Sequence, residues 1–260
     1  MLEISLPSLV EETITDFIRT SLNGKKGIVG MSGGIDSSLV AYLASKSAPG
    51  KIIGVHMPEL ESMKEDENDA KEIAEKFGID FRVINIEKFI APFREIYNDK
   101  KVLGNIKARM RMLILYSISN SENGLVIGAS NKSELLTGYF TKYGDGASDI
   151  MPIGDLYKTQ VRLLAKKVGL PDKIINKIPT AGLWKGQTDE DELGIDYATL
   201  DKILFGIELL MDDETISKET SINIERIRKV REMVENTKHK RILIYIPKLG
   251  IRTVGLDFRE

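Results

Sequence analysis

The stretch that decides the expected fold is Gly30-Met31-Ser32-Gly33-Gly34-Ile35-Asp36-Ser37-Ser38. Residues 26–29 before it read as a short buried strand, and Leu39, Val40 and Leu43 after it fall at helical spacing. The glycines therefore lie on a turn between a strand and a helix. Such a turn points backbone N–H groups and the positive end of a helix dipole at one place, and paired glycines let an anion approach closely. The stretch predicts a phosphate-binding loop.

This loop differs from two common nucleotide-binding loops. A Walker loop needs a Lys-Ser/Thr pair after its last glycine, whereas Ile35-Asp36-Ser37 follows Gly34. The dinucleotide fingerprint, with glycines at its first, third and sixth places, is also missing. A plain Gly/Ser turn that caps a helix is the alternative interpretation. Against it, five fixed residues recur by accident only about once per million positions at frequencies of roughly 5 to 8% each.

Length and composition favour one α/β domain. The chain has 260 residues, 42% of them hydrophobic, which suffices for a full core with a helical addition. We expect a single domain over residues 1–260, made of an N-terminal helix in 1–22, a nucleotide-binding core in 23–170, and a lid loop with C-terminal helices in 171–260. No glutaminase domain is expected.

Charge and cysteine content narrow the function. A net charge of -2 and a pI near 5.9 give no basic footprint, so we expect small-molecule substrates and no nucleic acid. The chain has no cysteine, which excludes disulfides, thiolate metal sites and thiol nucleophiles. Acidic residues stand where a signal peptide would carry positive charge, and no apolar run approaches roughly 18 residues. A cytoplasmic location without membrane contact is expected.

Short β-branched runs alternate with helical stretches through the first two thirds of the chain. Strands are predicted at 26–29, 51–56, 81–86 and 125–128, with a short edge strand at 151–153. An opening helix is predicted with Pro7 near its first turn and Asn23-Gly24 at its end. Further helices are predicted at a stretch ending near 47, and at 64–77, 87–98, 102–120, 156–168, 197–210 and 225–235. This alternation is the pattern of a doubly wound, Rossmann-like open parallel sheet of about five strands flanked by helices.

Two groups of charged residues have more than one interpretation. The acidic run 65–69 is either a metal site or the first turn of a helix, and its position favours the helix dipole. Arg109 lies beside the predicted apolar face of the 102–120 helix, where a lone arginine is usually a surface residue. That face is predicted to consist of Leu103, Ile106, Met110, Leu113, Ile114 and Ser117.

Several segments are expected around a bound nucleotide, because ligands of open parallel sheets lie outside the carboxyl ends of the strands. At His56 and Met57 we expect backbone contact with adenine, while the His56 side chain satisfies the strand end. Residues 129–134 should face the same cleft. The run 137–149, rich in aromatic and small residues, is typical of a functional loop. Residues 177–194 form either a mobile lid over the nucleotide or a plain exposed linker.

The order of these motifs resembles that of the ammonia-dependent NAD synthetases, which belong to the N-type ATP pyrophosphatases of the PP-loop superfamily. The resemblance covers nearly the whole chain from about Gly27 to Lys240. It is carried by SGGIDSS (32–38), KARMRM (107–112), TGYFTKYGDGASD (137–149), DLYKTQVR (155–162), IPTAGLW (178–184) and GQTDEDELG (186–194). The 137–149 segment is the distinguishing one, because SGGxDS also occurs in other synthetases of this superfamily. The implied fold is adenine nucleotide alpha hydrolase-like.

The resemblance implies a two-step ligase reaction. The nicotinate carboxylate of deamido-NAD attacks the α-phosphate of ATP, pyrophosphate leaves, and free ammonia then displaces AMP to give NAD. A carboxylate needs such activation because its oxygen is otherwise a poor leaving group. The departing pyrophosphate needs its charge neutralised by magnesium, backbone amides and lysine. ATP is thus a co-substrate and Mg²⁺ the implied cofactor. The family also implies a homodimer with the dinucleotide at the subunit interface.

The resemblance also implies roles for particular residues. Asp36 and Lys158 are the implied catalytic residues, and Asp36 and Glu134 the implied magnesium ligands. The implied ATP contacts are Gly30, Met31, Ser32, Gly33, Gly34, Ile35, Asp36, Ser37, Ala129, Lys158 and Thr180. The implied deamido-NAD contacts are Arg109, Lys142, Asp149, His239 and Lys240. For His239 and Lys240, a solvated basic tail is the alternative.

The sequence departs from the family pattern at three places. Ala129 stands where a hydroxyl residue often contacts ATP, so the contact would pass to the backbone or to Ser130. The tail 242–246 is more apolar than is usual for the family, and residues 215–225 match loosely. Two rival functions remain: a tRNA-modifying pyrophosphatase, opposed by the acidic pI, and an ATP sensor without turnover, opposed by the retained Asp36, Glu134 and Lys158.

Overall fold

The centre of the molecule is a four-stranded parallel sheet. The computed structural model describes residues 2–184, 186–242 and 246–253. The strands are β1 (Lys26–Gly30), β2 (Ile52–His56), β3 (Asp80–Val83) and β4 (Gly124–Ile127). They lie in the order β3-β2-β1-β4, and every neighbouring pair is parallel. The doubly wound α/β class is confirmed.

The prediction of about five strands was wrong, because the described residues contain four. The chain after β4 returns beside it, and Gly128 N donates to Ile150 O at 2.8 Å, but only a single bridge joins Ile127 and Ile150. Pro152 has no N–H with which to continue a ladder, and the chain turns at once, with Gly154 N donating to Met151 O at 3.0 Å. The predicted edge strand at 151–153 is therefore a turn.

Helices cover both faces of this sheet. In chain order they are α1 (Val10–Leu22), α2 (Ile35–Ser47), α3 (Lys64–Lys76), α4 (Glu87–Ile96), α5 (Lys100–Glu122), α6 (Lys132–Thr137), α7 (Lys158–Lys167), α8 (Asp172–Ile175), α9 (Asp189–Leu193), α10 (Tyr197–Glu208), α11 (Asp213–Thr220), α12 (Ile224–Asn236) and α13 (Lys238–Arg241). The sequence prediction missed α6, α8, α9, α11 and α13. Four of these five have six residues or fewer, which is too short for a helical period to be recognised.

The core has three parts. Helices α1, α2, α3, α7 and α8 bury their apolar faces on one side of the sheet. On the other side α4 and α5 pack against β1, β2 and β4. A third cluster joins α10, α11 and α12 around Tyr197, Leu200 and Ile203. The C-terminal helices thus form their own core, which contacts the sheet layers through α6 and α7.

The predicted buried face of α5 was wrong. The buried residues are Gly104, Lys107, Ala108, Met112, Leu115, Ile118 and Ser119, of which Met112, Leu115 and Ile118 belong to the core on the sheet. Of the predicted stripe, Ile106, Met110 and Ile114 pack only partly buried against this core, and Leu113 is 61% exposed. Both sides of this helix carry apolar residues, so periodicity alone does not choose between them. Packing chose the side on which Met112, Leu115 and Ile118 reach the sheet, while Gly104 on the same side lies against Leu183 and Trp184.

Among the described residues, no helix is both long and apolar enough to span a membrane. Of the apolar tail 242–246 that departs from the family pattern, residues 243–245 lie outside the described residues.

Candidate active site

The predicted phosphate loop connects the end of β1 to the start of α2. Gly33 has φ +79°, and a Cβ on it would lie 2.4 Å from the Asp66 carbonyl oxygen of α3. Only glycine fits such a position. Gly34 is the N-cap of α2, and no side chain caps this turn. The first N–H groups of α2 are therefore available to an anion.

Two serines hold the loop in shape. Ser32 N donates to Ser37 Oγ at 3.2 Å, and Gly34 N donates to Ser32 Oγ at 3.2 Å. Ser37 Oγ in turn donates to Gly34 O at 3.1 Å. These bonds join both ends of the loop and fix its shape.

The implied metal and catalytic residues come together beside this loop. Asn131 Nδ2 donates to Asp36 Oδ1 at 3.0 Å and to Glu134 Oε1 at 2.7 Å. Lys158 Nζ donates to Asp36 and lies 3.6 Å from Glu134 Oε1. Local structure sets these positions, because Asn131 and Glu134 form a capping box at the start of α6 and Lys158 is the first residue of α7. Three distant segments thus place their charges at one point.

Electrostatics in this cluster favour an additional cation. Burial, and then the charge of Asp36, raise the pKa of Glu134 to about 8. Burial alone would lower the pKa of Lys158, but Asp36 and Glu134 raise it overall. Lys158 is therefore a fixed cation that neutralises one charge of a carboxylate pair. A divalent ion at Asp36 and Glu134 would relieve the remaining repulsion.

The donor set fits magnesium. Within residues 2–184, 186–242 and 246–253, no three His, Asp or Glu side chains gather in a metal-binding arrangement. Mg²⁺ seldom needs such a cage, because one or two carboxylates, substrate phosphates and water usually complete its shell. The carboxylates of Asp36 and Glu134 are hard oxygen donors of the kind such an ion would take, and they lie next to the phosphate loop.

A third carboxylate, Asp189 of α9, was not predicted. It is 4% exposed and accepts hydrogen bonds from Tyr139 Oη and Tyr197 Oη, each at 3.1 Å. The pKa of Asp189 is raised because the carboxylate is buried, and the charge of Lys158 only partly offsets this effect. Lys158 Nζ also lies 5.2 Å from the centre of the Tyr197 ring. Asp189 belongs to the 177–194 segment and to the GQTDEDELG motif, but neither its spacing nor the resemblance singled it out as a residue of the site.

The predicted ATP residues line one cleft of about 490 Å³. Residues lining it include every member of 30–37 except Gly33, together with Ala129, Glu134, Lys158 and Thr180. His56 and Met57 also line it, and His56 Nδ1 is 2.8 Å from Met31 O at the strand end, as expected. Gly33 supports the loop from behind.

The predicted deamido-NAD residues gather mainly outside the cleft. Arg109 Nε donates to Lys142 O at 3.2 Å, and Lys142 Nζ donates to His239 O at 2.9 Å. Lys240 Nζ donates to Gly138 O at 2.7 Å and does line the cleft. These four residues from three segments are neighbours. Lys240 is held by the chain and is no part of a free basic tail.

Asp149, the fifth predicted dinucleotide residue, lies apart at the edge of the sheet. Its Oδ2 accepts from Val126 N at 2.7 Å, and its Oδ1 accepts from Tyr116 Oη at 3.3 Å. The structure therefore gives Asp149 a clear part in fixing the chain beside β4.

The acidic run at the start of α3 is paired with lysines. Lys177 Nζ lies 2.7 Å from both Asp66 Oδ1 and Asp69 Oδ2, and Lys173 Nζ lies 2.8 Å from Asp69 Oδ1. Lys177 Nζ also donates to Gly33 O at 3.3 Å. These carboxylates anchor the start of the 177–194 segment behind the phosphate loop, and lysines neutralise them.

A parallel sheet with SGGIDS at the end of its first strand, and two carboxylates and a lysine beside it, defines an adenine-nucleotide-binding α/β protein of the ATP pyrophosphatase type. The NAD synthase family model matches residues 9–243, and the chain belongs to this family.

Relatives and solved structures agree with this assignment. An NH3-dependent NAD+ synthetase of Pyrococcus horikoshii is 48% identical over 252 residues, which cover 95% of this chain and 96% of the relative. The structure of an NMN synthetase from Francisella tularensis superposes with a TM-score of 0.83 at 32% identity, over 94% of this chain and all of that one. The NH3-dependent NAD synthetase of Campylobacter jejuni, in complex with nitrate, gives 0.78 at 30% identity, over 92% and 98%.

Proposed function

We propose that this chain catalyses the ATP-dependent amidation of deamido-NAD by free ammonia, with release of AMP and pyrophosphate. The observation that carries the proposal is the meeting of Asp36, Glu134 and Lys158 beside the phosphate loop, in a chain 48% identical to an NH3-dependent NAD+ synthetase. A protein that only senses ATP needs no such pair of carboxylates with a lysine between them.

The proposed role of each residue follows from its charge. The N–H groups at the start of α2 bind the outer phosphates of ATP, and Ser32 and Ser37 keep that loop in shape. Lys158 neutralises the charge that develops on the departing pyrophosphate. Asp36 and Glu134 hold Mg²⁺, which supplies Lewis-acid neutralisation of phosphate charge when bound. Thr180, which also lines the cleft, contacts ATP.

Asp189 is positioned to attract ammonium, the nitrogen substrate. This buried carboxylate lines the cleft on the side of Lys158 and adds negative charge where a small cation is needed. We assign to it the attraction of ammonium toward the activated carboxyl group.

The proposed dinucleotide site and the proposed subunit interface lie on the same surface of the molecule. Arg109, Lys142 and His239 are neighbours on one surface of the molecule, and Arg109 belongs to α5. The same helix presents Leu113 to solvent, with Ile106 and Met110 only partly buried. We propose that this apolar face joins two subunits and that the dinucleotide lies along the joint. The cytoplasmic location stays a prediction.

A product assay tests the function. The protein is incubated with ATP, Mg²⁺, ammonium and deamido-NAD, and NAD, AMP and pyrophosphate are followed. Equal amounts of all three, with no AMP when deamido-NAD is omitted, are expected. ADP as the product would contradict a pyrophosphatase, and absence of any turnover would favour the sensor. AMP formation on tRNA without deamido-NAD would favour a tRNA-modifying enzyme.

The likeness to an NMN synthetase favours a second candidate, the same reaction on the mononucleotide. The assay therefore includes nicotinate mononucleotide beside deamido-NAD at equal concentrations. We expect a higher kcat/KM for the dinucleotide, since the 48% identical relative is an NAD+ synthetase. A higher kcat/KM for the mononucleotide would replace the proposed substrate and leave the chemistry unchanged.

A further inference from the structure

A buried cluster of charges lies behind the cleft, outside the site described above. Its centre is Lys107 of α5, which is 1% exposed. Lys107 Nζ donates to Glu59 Oε1 at 3.0 Å, to Glu61 Oε2 at 2.9 Å and to Leu183 O at 2.6 Å. A buried ammonium group is costly unless its donors are all satisfied, and here three oxygens satisfy them.

The carboxylate side of this cluster is anchored independently of Leu183. The Glu59 side chain is fully buried and also accepts from Arg94 at 2.7 Å. Arg94 of α4 in turn pairs with Glu87 at 3.2 Å. These contacts fix Glu59 between β2 and α4. The bond to Leu183 O connects Lys107 to the segment of the chain that precedes α9.

A second contact brings the same part of the chain against α5. Gly104 lies one turn before Lys107, and a Cβ on it would be 3.1 Å from Leu183 Cδ1 and 3.3 Å from Trp184 Cζ3. The absence of a side chain at Gly104 therefore allows the close approach. Leu183 N also donates to Gln187 Oε1 at 2.8 Å, so the backbone at Leu183 is held on both sides.

We infer that Lys107 and Gly104 are positioning residues that hold the 178–184 segment against α5 and so place Thr180 at the cleft. This segment runs from Ile178 to Trp184, and all of its residues line the cleft. The inference rests on the proposed function, because Thr180 matters as an ATP contact. The hydrogen bond from the buried ammonium group to the Leu183 carbonyl holds the segment firmly, because charge-assisted hydrogen bonds are stronger than neutral ones.

The chain contains a probe of this contact, because Trp184 is its only tryptophan. We compare acrylamide quenching of Trp184 fluorescence in Lys107→Met and in Lys100→Met, which removes an exposed lysine from the start of the same helix. Lys107→Met is expected to raise the quenching constant about twofold as the segment leaves α5. It should also raise the KM for ATP about tenfold, the effect of one charge-assisted bond, and change kcat less. Lys100→Met should leave both as in the wild type.

Gly104→Ala separates positioning from folding. Alanine favours a helix over glycine, so this variant should melt at the same temperature as the wild type or higher. Its Cβ nevertheless presses on Leu183 and Trp184, so quenching of Trp184 and the KM for ATP should both rise. A purely structural role of this contact predicts no change in either.

The inference is overturned if folded Lys107→Met keeps the wild-type quenching constant and KM. If Lys107→Met does not fold, Gly104→Ala decides alone, and wild-type values in that variant overturn the inference equally. Failure of the proposed function is distinguishable, because the wild-type protein would then release no AMP from ATP whatever the quenching shows.

Discussion

At the scale of single residues, the site depends on one lysine shared between two carboxylates. Lys158 donates to Asp36 and lies 3.6 Å from Glu134, and burial with the charge of Asp36 raises the pKa of Glu134 to about 8. Asn131 adds a neutral donor to both carboxylates. The two carboxylates and the lysine leave room for the charge of a further cation. Substitution of any of these residues should therefore lower activity more than stability.

Asp36→Asn tests this at the loop. The substitution keeps the shape of the side chain and removes its charge, while Lys158 stays beside Glu134. We expect the rate of AMP release with ATP, deamido-NAD and ammonium to fall by at least about 10²–10³-fold. Asp16→Asn removes an exposed carboxylate of α1 and should change nothing. Near-normal turnover of Asp36→Asn would refute the role of Asp36 as a metal ligand.

Gly33→Ala tests the shape of the phosphate loop. Its φ of +79° and the 2.4 Å approach to Asp66 O impose two separate costs on a Cβ. Gly50→Ala is the matched control, because Gly50 has φ +71° with no atom within 4 Å of the added Cβ. We expect Gly50→Ala to cost about 1–2 kcal/mol of unfolding free energy from the backbone alone. Gly33→Ala should cost about 1–3 kcal/mol more and abolish ATP binding.

Urea unfolding and a titration with ATP measure the two effects. Equal stability losses in Gly33→Ala and Gly50→Ala would show that Asp66 does not limit the loop.

At the scale of elements, the helix starts do the positioning. The N–H groups at the start of α2 form the phosphate loop, the capping box of α6 orients Glu134, and Lys158 begins α7. All three helices begin at the carboxyl end of the sheet, where a doubly wound fold binds ligands. A short helix such as α6 contributes little to the core and owes its orientation to its cap.

Asn131→Ala tests that element. Loss of an N-cap side chain costs about 1 kcal/mol of unfolding free energy. Asn131 also holds Asp36 and Glu134 together, so we expect the Mg²⁺ concentration for half-maximal activity to rise as well. Asn223→Ala is the control, because Asn223 caps α12 through Glu225 N at 2.7 Å and lies outside the site.

Denaturant melts should show a loss in both variants, larger in Asn131→Ala because Asn131 is buried and Asn223 is exposed, and only Asn131→Ala should change the Mg²⁺ titration of activity. An unchanged Mg²⁺ requirement in Asn131→Ala would mean that the carboxylates hold their places without Asn131.

At the scale of the whole molecule, α5 has two apolar sides, and the sheet covers only one of them. The outer side carries Leu113, which is 61% exposed, and Arg109, which reaches Lys142. An exposed apolar helix face beside a predicted substrate site fits a subunit interface.

Leu113→Lys tests the homodimer. A charge in the centre of an apolar interface should convert the dimer to a monomer, as measured by light scattering after gel filtration. Turnover should fall with it if the dinucleotide lies at the joint. Leu210→Lys is the control, because Leu210 is 91% exposed next to α10 and outside this face. A dimer that persists in Leu113→Lys would move the interface elsewhere.

The regular core was predictable because its signals are local. Alternating strands and helices, and a glycine pair at a strand end, follow from residues next to one another, so β1, β2, β4 and the phosphate loop were placed within a residue or two. Pro152 is a local signal against a strand, because it lacks an N–H group, and the expected fifth strand ends there. The helices α6, α8, α9 and α13 were missed because each has six residues or fewer, which is too short to show a repeating apolar face.

The sequence by itself determined the class of the protein, the phosphate loop and the identity of the charged residues, since each is written in a contiguous motif. Only the tertiary structure decided which face of α5 is buried, that Asp189 joins the site, and that Lys107 reaches Leu183. Those outcomes depend on pairs of residues far apart in the chain, and which pairs meet is settled by how the layers pack as a whole.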